Sequence, residues 1–575
     1  MAIRQPEIFR LWEAEFKNYS VDLAQRDLIA GLTVAAVALP LALAFGVAGG
    51  STPAAGLVTA IIAGLVIGLL GGAPYQVSGP TGAMSAVLVV IAHEHGQRGL
   101  WMAGLMAGVM ILFVGMFGLG RIITFIPAPV ITGFTSGIAL TIAIGQIDNF
   151  FGFKTQTKNR ASDKLIGYFT NSWPPINWRS AIIGLLVAAV MLLVPRVHKS
   201  AGKIPTALLG VTLVTAISWG LGWNVRMIGA VPRGIVLDQR LTLQPSDFHL
   251  ARQLIGPAFA IALLGAIESL LCGVVAGRMA KQKLSVNQEM IAQGIGNIVI
   301  PFFGGVPATA AIARTSVGVK AGGATRLVSI FHAITLLLGA LFFANLIGRV
   351  PMAVLAGVLF VTAWRMNEWH AIRFYWRHRL AGAMFTFVVT MLATIALDLT
   401  QAIVAGVLIS LALFLKDSTR TAVAVEPVDW KKAGVESPVP EVSANVVYLT
   451  GSLFFGSVNQ VVEDIEARPP ADVLIISMRG APMVDISSVQ AIEHLWRAQI
   501  ERGGSLYVAG VQPQPQKIFE KAGLFKLIGE DQFFWSADRA IAAVAGGQTH
   551  LYTDEAIESA DESLDELPLG VASVG

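Results

Sequence analysis

Tyr75-Gln-Val-Ser-Gly-Pro-Thr-Gly-Ala-Met-Ser85 and Gly304-Gly-Val-Pro-Ala-Thr-Ala-Ala-Ile-Ala-Arg-Thr-Ser316 are the two stretches whose reading decides the fold. Each breaks an apolar region with Gly, Pro and hydroxyl residues, and each is too short or too interrupted for a full membrane span. In the first, an extended lead from Tyr75 to Ser78 runs into Gly79, Pro80 suits an early helical position, and Thr81 offers a hydroxyl. Small residues predominate in both, so backbone can approach a ligand closely. A helix that begins in mid-membrane leaves its first N–H groups without intrahelical partners. Hydrocarbon cannot satisfy them, whereas an anion in a hydrated cavity can. Two such helices facing each other would aim two positive dipole ends at one small anion. Taken singly, either stretch reads equally well as an ordinary Gly/Pro kink, and it is their matched places in the chain that favour the paired reading.

The surroundings are apolar on a scale that a water-soluble chain does not reach. Of 575 residues, 54% are hydrophobic and 14% charged, with a mean hydropathy of +0.65, against roughly 25% charged in a soluble domain. Lipid must therefore replace the charged shell. Apolar runs of roughly 17 to 22 residues cross about 30 Å of hydrocarbon. Such runs, with the two shorter interrupted stretches, fall near 27–47, 53–71, 78–93, 100–119, 125–148, 180–194 and 204–221, then near 253–276, 288–304, 309–320, 328–346, 350–364, 380–397 and 400–416. The expected fold class is thus a polytopic α-helical membrane protein of about fourteen transmembrane helices, two sets of seven with the interrupted stretch third in each, as in an inverted repeat.

Residues 1–26 are polar and lack a signal-peptide core, so this segment is expected to be retained on the cytoplasmic side. The positive-inside rule then puts Arg196, Lys199 and Lys203, Arg278, Lys281 and Lys283, and Arg365, Arg373, Arg377 and Arg379 in the cytoplasm, against a dissenting group of Lys154, Lys158, Arg160 and Lys164 outside. Both termini are expected to be cytoplasmic, in a bacterial inner membrane. A single cysteine, Cys272, excludes an intrachain disulfide, and no Cys/His cluster has metal-site spacing, so no metal or cofactor is expected. The net charge of +4 resides in short loops and not in one stripe, which argues for topology signals and against nucleic acid. The transmembrane domain is expected over 27–420. A polar, Pro-containing linker over 421–440 follows, then a small α/β domain over 441–550 with strands at 446–449, 473–478 and 505–510, then an acidic, disordered tail over 551–575.

Two charged residues inside the lipid-facing series are candidates for chemistry. Glu268 is the one carboxylate in the middle of Leu263-Leu-Gly-Ala-Ile-Glu-Ser-Leu-Leu-Cys272. A lone carboxylate at that depth is expensive when ionised and tends to pair, bind a cation or accept a proton, which would couple cation movement to anion passage. Arg314 would add a full positive charge to the anion site, the alternative being a helix end snorkelling to the headgroups; the alternative for Glu268 is a structural role, hydrogen-bonding helix ends or pairing with Arg314. Asp27 and Asp148 fall near helix ends and read as caps, and His332 reads as structural.

Arg26-Asp-Leu-Ile-Ala-Gly-Leu-Thr-Val34, Leu39-Pro-Leu-Ala-Leu-Ala-Phe-Gly46, Ser78-Gly-Pro-Thr81, Asn287-Gln-Glu289 with Gln293-Gly-Ile-Gly-Asn297, and Gly305-Val-Pro307 to Ala313-Arg-Thr315 together resemble the SulP (sulfate permease) family. The resemblance runs from about residue 27 through the soluble domain, which itself resembles STAS. It implies a core domain and a gate domain, elevator-like movement, a homodimer, and one small inorganic anion between the starts of the third and tenth helices. Carried over, that places the anion near Ser78, Gly79, Thr81, Ala311 and Ile312, with Arg314 nearby. Leu39 to Phe45 looks like the bicarbonate-transporting branch. In the sodium-coupled members, the acidic residue matching Glu268 works with hydroxyl residues where this chain has Cys272 and Ile312. Sodium ligands are thus scarce, and H+ is the expected coupling ion, with Na+ the alternative. Ser487, in Asp485-Ile-Ser-Ser488, matches a phosphorylated position of anti-sigma-factor antagonists, although the serine pair also suits a helix cap. A cytoplasmic regulator that binds the STAS domain is a further implied partner. The expected function is therefore secondary transport of sulfate or bicarbonate, with no enzymatic activity. The alternatives are sodium-coupled bicarbonate uptake, C4-dicarboxylate transport, a nucleobase permease, an uncoupled channel, and a membrane anchor for STAS signalling.

Overall fold

The computed structural model describes residues 6–120, 127–153, 161–170, 175–197, 205–229, 234–245, 247–397, 399–419, 421–430 and 442–546. Lys154, Lys158, Arg160, Lys199, Lys203, the later part of the expected linker and the acidic tail lie outside the described residues. The chain divides into two compact units, 1–410 and 411–575.

The first unit opens with α1 (Glu7–Phe16) and the membrane helices α2 (Val21–Ala48) and α3 (Pro53–Leu70). Ser20 and Thr52 cap α2 and α3 by accepting from Leu23 and Ala55 N–H, and Pro53 takes the first helical position of α3. A two-residue strand, β1 (Ser78–Gly79), leads into α4 (Gly82–Met116), which Thr81 caps by accepting from Met84 N–H. The expected spans at 78–93 and 100–119 are the two halves of α4. They are separated only at Gly96, whose φ of 66° and ψ of −173° suit glycine alone. Next come α5 (Ala128–Phe151), α6 (Ala161–Thr170), α7 (Trp178–Val197) and α8 (Thr206–Gly220).

The second set repeats the order after a short α9 (Asp247–Gln253): α10 (Ile255–Ala280), α11 (Val286–Val299), then β2 (Thr309–Ala310) leading into α12 (Ile312–Lys320). It ends with α13 (Leu327–Gly348), α14 (Met352–Met366), a short α15 (Trp369–Arg377), α16 (Ala381–Ala396) and α17 (Leu399–Ser418). The third membrane segment of each set therefore starts as strand and becomes helix, an extended lead that the sequence predicts for the first of them. The two strands pair antiparallel, Ser78 with Ala310 and Gly79 with Thr309.

Packing sorts these helices into two bundles. The core bundle comprises α2, α3, both halves of α4 and α10 to α13, and the gate bundle is built on α5, α7, α14 and α16. Small residues permit the close approaches. A Cβ on Gly133 of α5 would lie 2.5 Å from the Phe387 carbonyl of α16, and one on Gly406 of α17 2.4 Å from Thr390 Oγ1.

In the second unit, β3 (Ala422–Pro427), β4 (Ala444–Thr450), β5 (Val473–Gly480), β6 (Ser505–Ala509) and β7 (Phe533–Phe534) form one sheet in chain order, the first pair antiparallel and the rest parallel. The helices are α18 (Val458–Glu466), α19 (Ile486–Glu501), α20 (Pro513–Ala522), α21 (Leu524–Ile528) and α22 (Ala537–Ala545). Strand alternation divides the core: Val447, Leu474, Ile476 and Val508 face Val461, Ile492 and Phe519, whereas Val446, Ile475 and Tyr507 face Ala540 and Val544. Two expectations are corrected here. The segment 421–440, expected to be linker, contains β3, because Val423 and Val425 have apolar partners across the sheet. Helix α19 begins at Ile486, and the N-cap is not one of the serine pair. Its cap is Asp485, which accepts from Ser488 N–H while Ser488 Oγ serves the Asp485 N–H in return.

Candidate functional site

Extended backbone in a bilayer needs partners for every N–H and C=O, and the β1–β2 crossing obtains them from the core helices around it. Thr59 of α3 accepts from Val306 N–H at 2.7 Å and donates to Val306 O at 3.0 Å. Asn297 of α11 serves both backbone groups of Ala308, at 2.8 and 2.9 Å. From α10, Ser269 Oγ lies 2.9 Å from Thr309 Oγ1 and accepts from Ala310 N–H at 3.3 Å. Thr315 Oγ1 accepts from Val77 N–H at 3.1 Å, and the Cys272 thiol donates to that hydroxyl at 3.5 Å.

With the crossing fixed, the starts of α4 and α12 meet at one end of a cavity of about 730 Å³ between the two bundles. Thr81, Gly82 and Ala83 line it from α4, Ala311 to Arg314 from α12, and Glu268 from α10. The Thr81 hydroxyl donates to Glu268 Oε2 at 3.0 Å. Arg314 is 1% exposed and its Nη2 donates to the Pro80 carbonyl, at the entrance to α4. Its Nε and Nη1 have no hydrogen-bond partner among the described residues. Gly79 is required beside it, because a Cβ there would sit 2.2 Å from Arg314 Nη1. A guanidinium charge and two helix amino ends thus converge on this cavity, which is chemistry for an anion.

The sequence-predicted residues divide. Thr81, Ala311, Ile312, Arg314 and Glu268 come together on the cavity. Ser78 and Gly79 do not line it, because alternation along β1 turns the Ser78 hydroxyl away, to accept from Gln293 Nε2 at 2.8 Å, and leaves Gly79 against Arg314. The alternative of a Glu268–Arg314 ion pair is not what forms, since the carboxylate bonds Thr81 and the guanidinium bonds Pro80. Asp27 does cap, but another helix: from α2 it accepts from Ala324 N–H at 2.8 Å and Thr325 N–H at 3.3 Å, just before α13. His332 is fully buried in α13. Ser487 is half-buried one position into α19 and is not its cap.

Three features lie beyond the sequence prediction. The buried carboxylate of Glu289 accepts from Gly72 N–H, Gln76 Nε2 and Gln293 Nε2, each at 2.9 Å, and so anchors the rear of the crossing. Across the cavity, the gate contributes Glu368, whose Oε2 accepts from Thr132 Oγ1 at 2.8 Å. It also contributes Arg365, whose Nη2 donates to Met191 O at 2.8 Å. The motif Asn287-Gln-Glu289 signalled the first. Nothing local signalled the gate pair, since charges at the end of a span ordinarily read as snorkelling groups.

Two bundles around a cavity at a pair of interrupted helices, with an α/β domain following, define an anion transporter fold of the membrane. The sequence model of the Sulfate permease family matches residues 24–390 and that of the STAS domain matches residues 438–540. The chain belongs to the sulfate permease family. It is similar to the putative sulfate transporter YvdB of Bacillus subtilis (strain 168), 34% identical over 91% of this chain and 98% of that one. It is also similar to the bicarbonate transporter BicA of Picosynechococcus sp. (strain ATCC 27264 / PCC 7002 / PR-6), 29% identical over 91% and 95%. The murine Solute Carrier 26 family member A9 anion transporter, in its inward-facing state, shares the fold with a TM-score of 0.83 and 18% identity, covering 95% of this chain and 96% of that chain.

Proposed function

We propose that the protein carries a small inorganic anion of the sulfate or bicarbonate class across the bacterial inner membrane by elevator-like displacement of the core bundle past the gate bundle. The observation that carries this is the convergence of the α4 and α12 starts on the cavity, with Arg314 held on Pro80 beside them. The anion sits against Thr81, Ala311 and Ile312, and the charge of Arg314 acts from behind them. The cavity reaches Thr206 at the start of α8 and Arg365 to Glu368 at the end of α14. Those ends share a side with the Arg278 and Arg373 loops, the side assigned to the cytoplasm by the positive-inside rule. The chamber is therefore open inward, with both termini inside.

Glu268 is the coupling group and H+ the coupling ion, with Na+ the alternative. Its hydrogen-bond partner among the described residues is the Thr81 hydroxyl, which an acid or a carboxylate can equally engage. A homodimer and a cytoplasmic regulator of the STAS domain, acting on it through phosphorylation at Ser487, complete the proposal. Uptake of labelled bicarbonate, sulfate and succinate into proteoliposomes, with imposed proton or sodium gradients, tests it. Glu268→Gln keeps a hydrogen-bonding group toward Thr81 but cannot titrate, so it is expected to abolish gradient-driven accumulation while anion exchange persists. Uptake that follows a sodium gradient and ignores a pH gradient would overturn proton coupling, and absence of saturable flux for all three anions would overturn the carrier.

A further inference from the structure

Helix α15 has nine residues, Trp369 to Arg377, and connects α14 to α16, both segments of the gate bundle. At 1.5 Å per residue it is far too short to cross about 30 Å of hydrocarbon, so it lies along the surface where its neighbours end. Its inward side is Ile372, half-buried, and Tyr375, buried. Its outward side alternates ring and charge: Trp369, Arg373 and Trp376 follow at helical spacing, with Arg377 one turn beyond Arg373. Trp376 is 77% exposed and Phe374 49%, and Trp364, whose ring lies tilted against that of Trp369 with centroids 4.5 Å apart, is 61% exposed. Arg373, Arg377 and Arg379 are exposed. None of them has an ion-pair partner among the described residues, and the sequence holds no acid between Glu368 and Asp398.

Arg379 adds a second observation. The turn that ends α15 closes with Leu380 N–H on Tyr375 O at 3.0 Å, and this forces Arg379 to a φ of 51°. That left-handed position is ordinarily glycine, because a side chain there costs energy. An arginine held in it carries a charge at a place where the backbone alone would select no side chain.

We propose that the outer face of α15 is a binding site for the phosphate headgroups of anionic phospholipids. Tryptophan rings seat at the level of the headgroups, and arginines make paired hydrogen bonds to phosphate. The occupant is a lipid and not a soluble acidic partner, because the rings interleaved with the arginines need an apolar layer beneath the charged one. The consequence reaches the cavity: Glu368 immediately precedes α15, and its bond to Thr132 sets the gate wall. Anionic lipid would hold that wall by fixing α15.

The test uses the purified full chain in detergent, with thermal unfolding followed as phosphatidylglycerol, phosphatidylcholine, glycerol 3-phosphate or poly-glutamate is added. Phosphatidylglycerol alone should raise the midpoint. In the R373Q/R377Q/R379Q variant, the concentration for half of that effect should rise on the order of a hundredfold, at roughly fivefold per basic residue. Trp376→Ala should weaken it further. An equal response to phosphatidylcholine, a wild-type response retained in the triple variant, or a response to poly-glutamate or glycerol 3-phosphate in place of the lipid would overturn the proposal.

Discussion

Gly79→Ala isolates the geometry on which the proposed anion binding would depend. The added methyl would lie 2.2 Å from Arg314 Nη1 and 3.5 Å from Ala60 Cα, so it has guanidinium on one side and the α3 backbone on the other. A long side chain ordinarily swings away from such a clash. This one is 1% exposed and bonded to the Pro80 carbonyl, so it moves only by giving up that bond. A hydrogen bond to a charged group is worth about 1.5–3 kcal/mol, and overpacking a filled site costs about 1–3 kcal/mol. The two are alternative responses to one clash; when the guanidinium gives up Pro80 and moves off, its charge no longer serves the bound anion, and losing a charge-assisted interaction of about 2 kcal/mol from the bound state is roughly thirtyfold in anion Kd. Equilibrium binding of whichever anion the uptake panel selects measures it. The Arg314→Ala background supplies the control: with the guanidinium gone, Gly79→Ala should add less than about 0.5 kcal/mol. An unchanged Kd in the single variant, or an equal penalty in both backgrounds, would refute the proposed dependence of the site on Arg314.

Other outcomes follow from local geometry. Gly96→Ala meets no atom within 4 Å, so its cost is purely that of the backbone conformation, about 1–3 kcal/mol, read as a shorter thermal half-life in detergent. Asp485→Ala removes the α19 cap and the partner of Phe455 N–H, and should destabilise the second unit by at least about 1 kcal/mol in denaturant titrations, whereas Ser487→Ala should stay within about 0.5 kcal/mol. Asp472 accepts from Ser443 N–H and Oγ, both at 2.8 Å, and these bonds hold its carboxyl below the ordinary aspartate value. Its folded pKa being the lower, the associated stability is present above roughly pH 4 and is lost as pH falls through the folded value. Ser443→Ala should therefore flatten the acid dependence of hydrogen exchange in β4 and β5 of the full chain, and an unchanged profile would count against this assignment.

The sequence was most informative where local chemistry and global role coincide. Gly79, Pro80 and Thr81 announce a helix start inside the membrane because they interrupt an apolar run at the place that Gly304 to Ser316 interrupts in the second set, and Glu268 stands out because a carboxylate is costly in the middle of an apolar run. What stayed hidden depends on pairing across long separations. Ser78 pairs with Ala310, and only that register shows that its hydroxyl points to Gln293 and not to the cavity. Glu368 and Arg365 belong to the site only because the gate folds across from α4, which nothing within the end of α14 records. In the second unit the strand at 422–427 was obscured by Glu426 and Pro427. As an edge strand paired on one side only, it tolerates both.

The distribution of polar supports bears on how the site could move. Each side-chain hydrogen bond described for the crossing and its helix starts comes from α3, α4, α10, α11 or α12: Thr59, Ser269, Asn297, Gln293, Glu268, Arg314 and Thr315. The gate meets the same place with apolar atoms. A Cβ on Gly82, the first residue of α4, would touch Ile142 Cδ1 of α5 and Met366 Sδ of α14, at 2.8 and 2.9 Å. Hydrogen bonds are directional and break when donors shift by an ångström, while apolar contacts exchange neighbours at little cost. This distribution is what the proposed elevator movement would need, since sliding the core along the gate would leave the hydrogen bonds of the crossing in place. The same asymmetry makes the rear network around Glu289 the part that must not yield. Loss of the Gln293 bond to Ser78 would loosen β1 from behind, and the two helix starts would no longer address one ion.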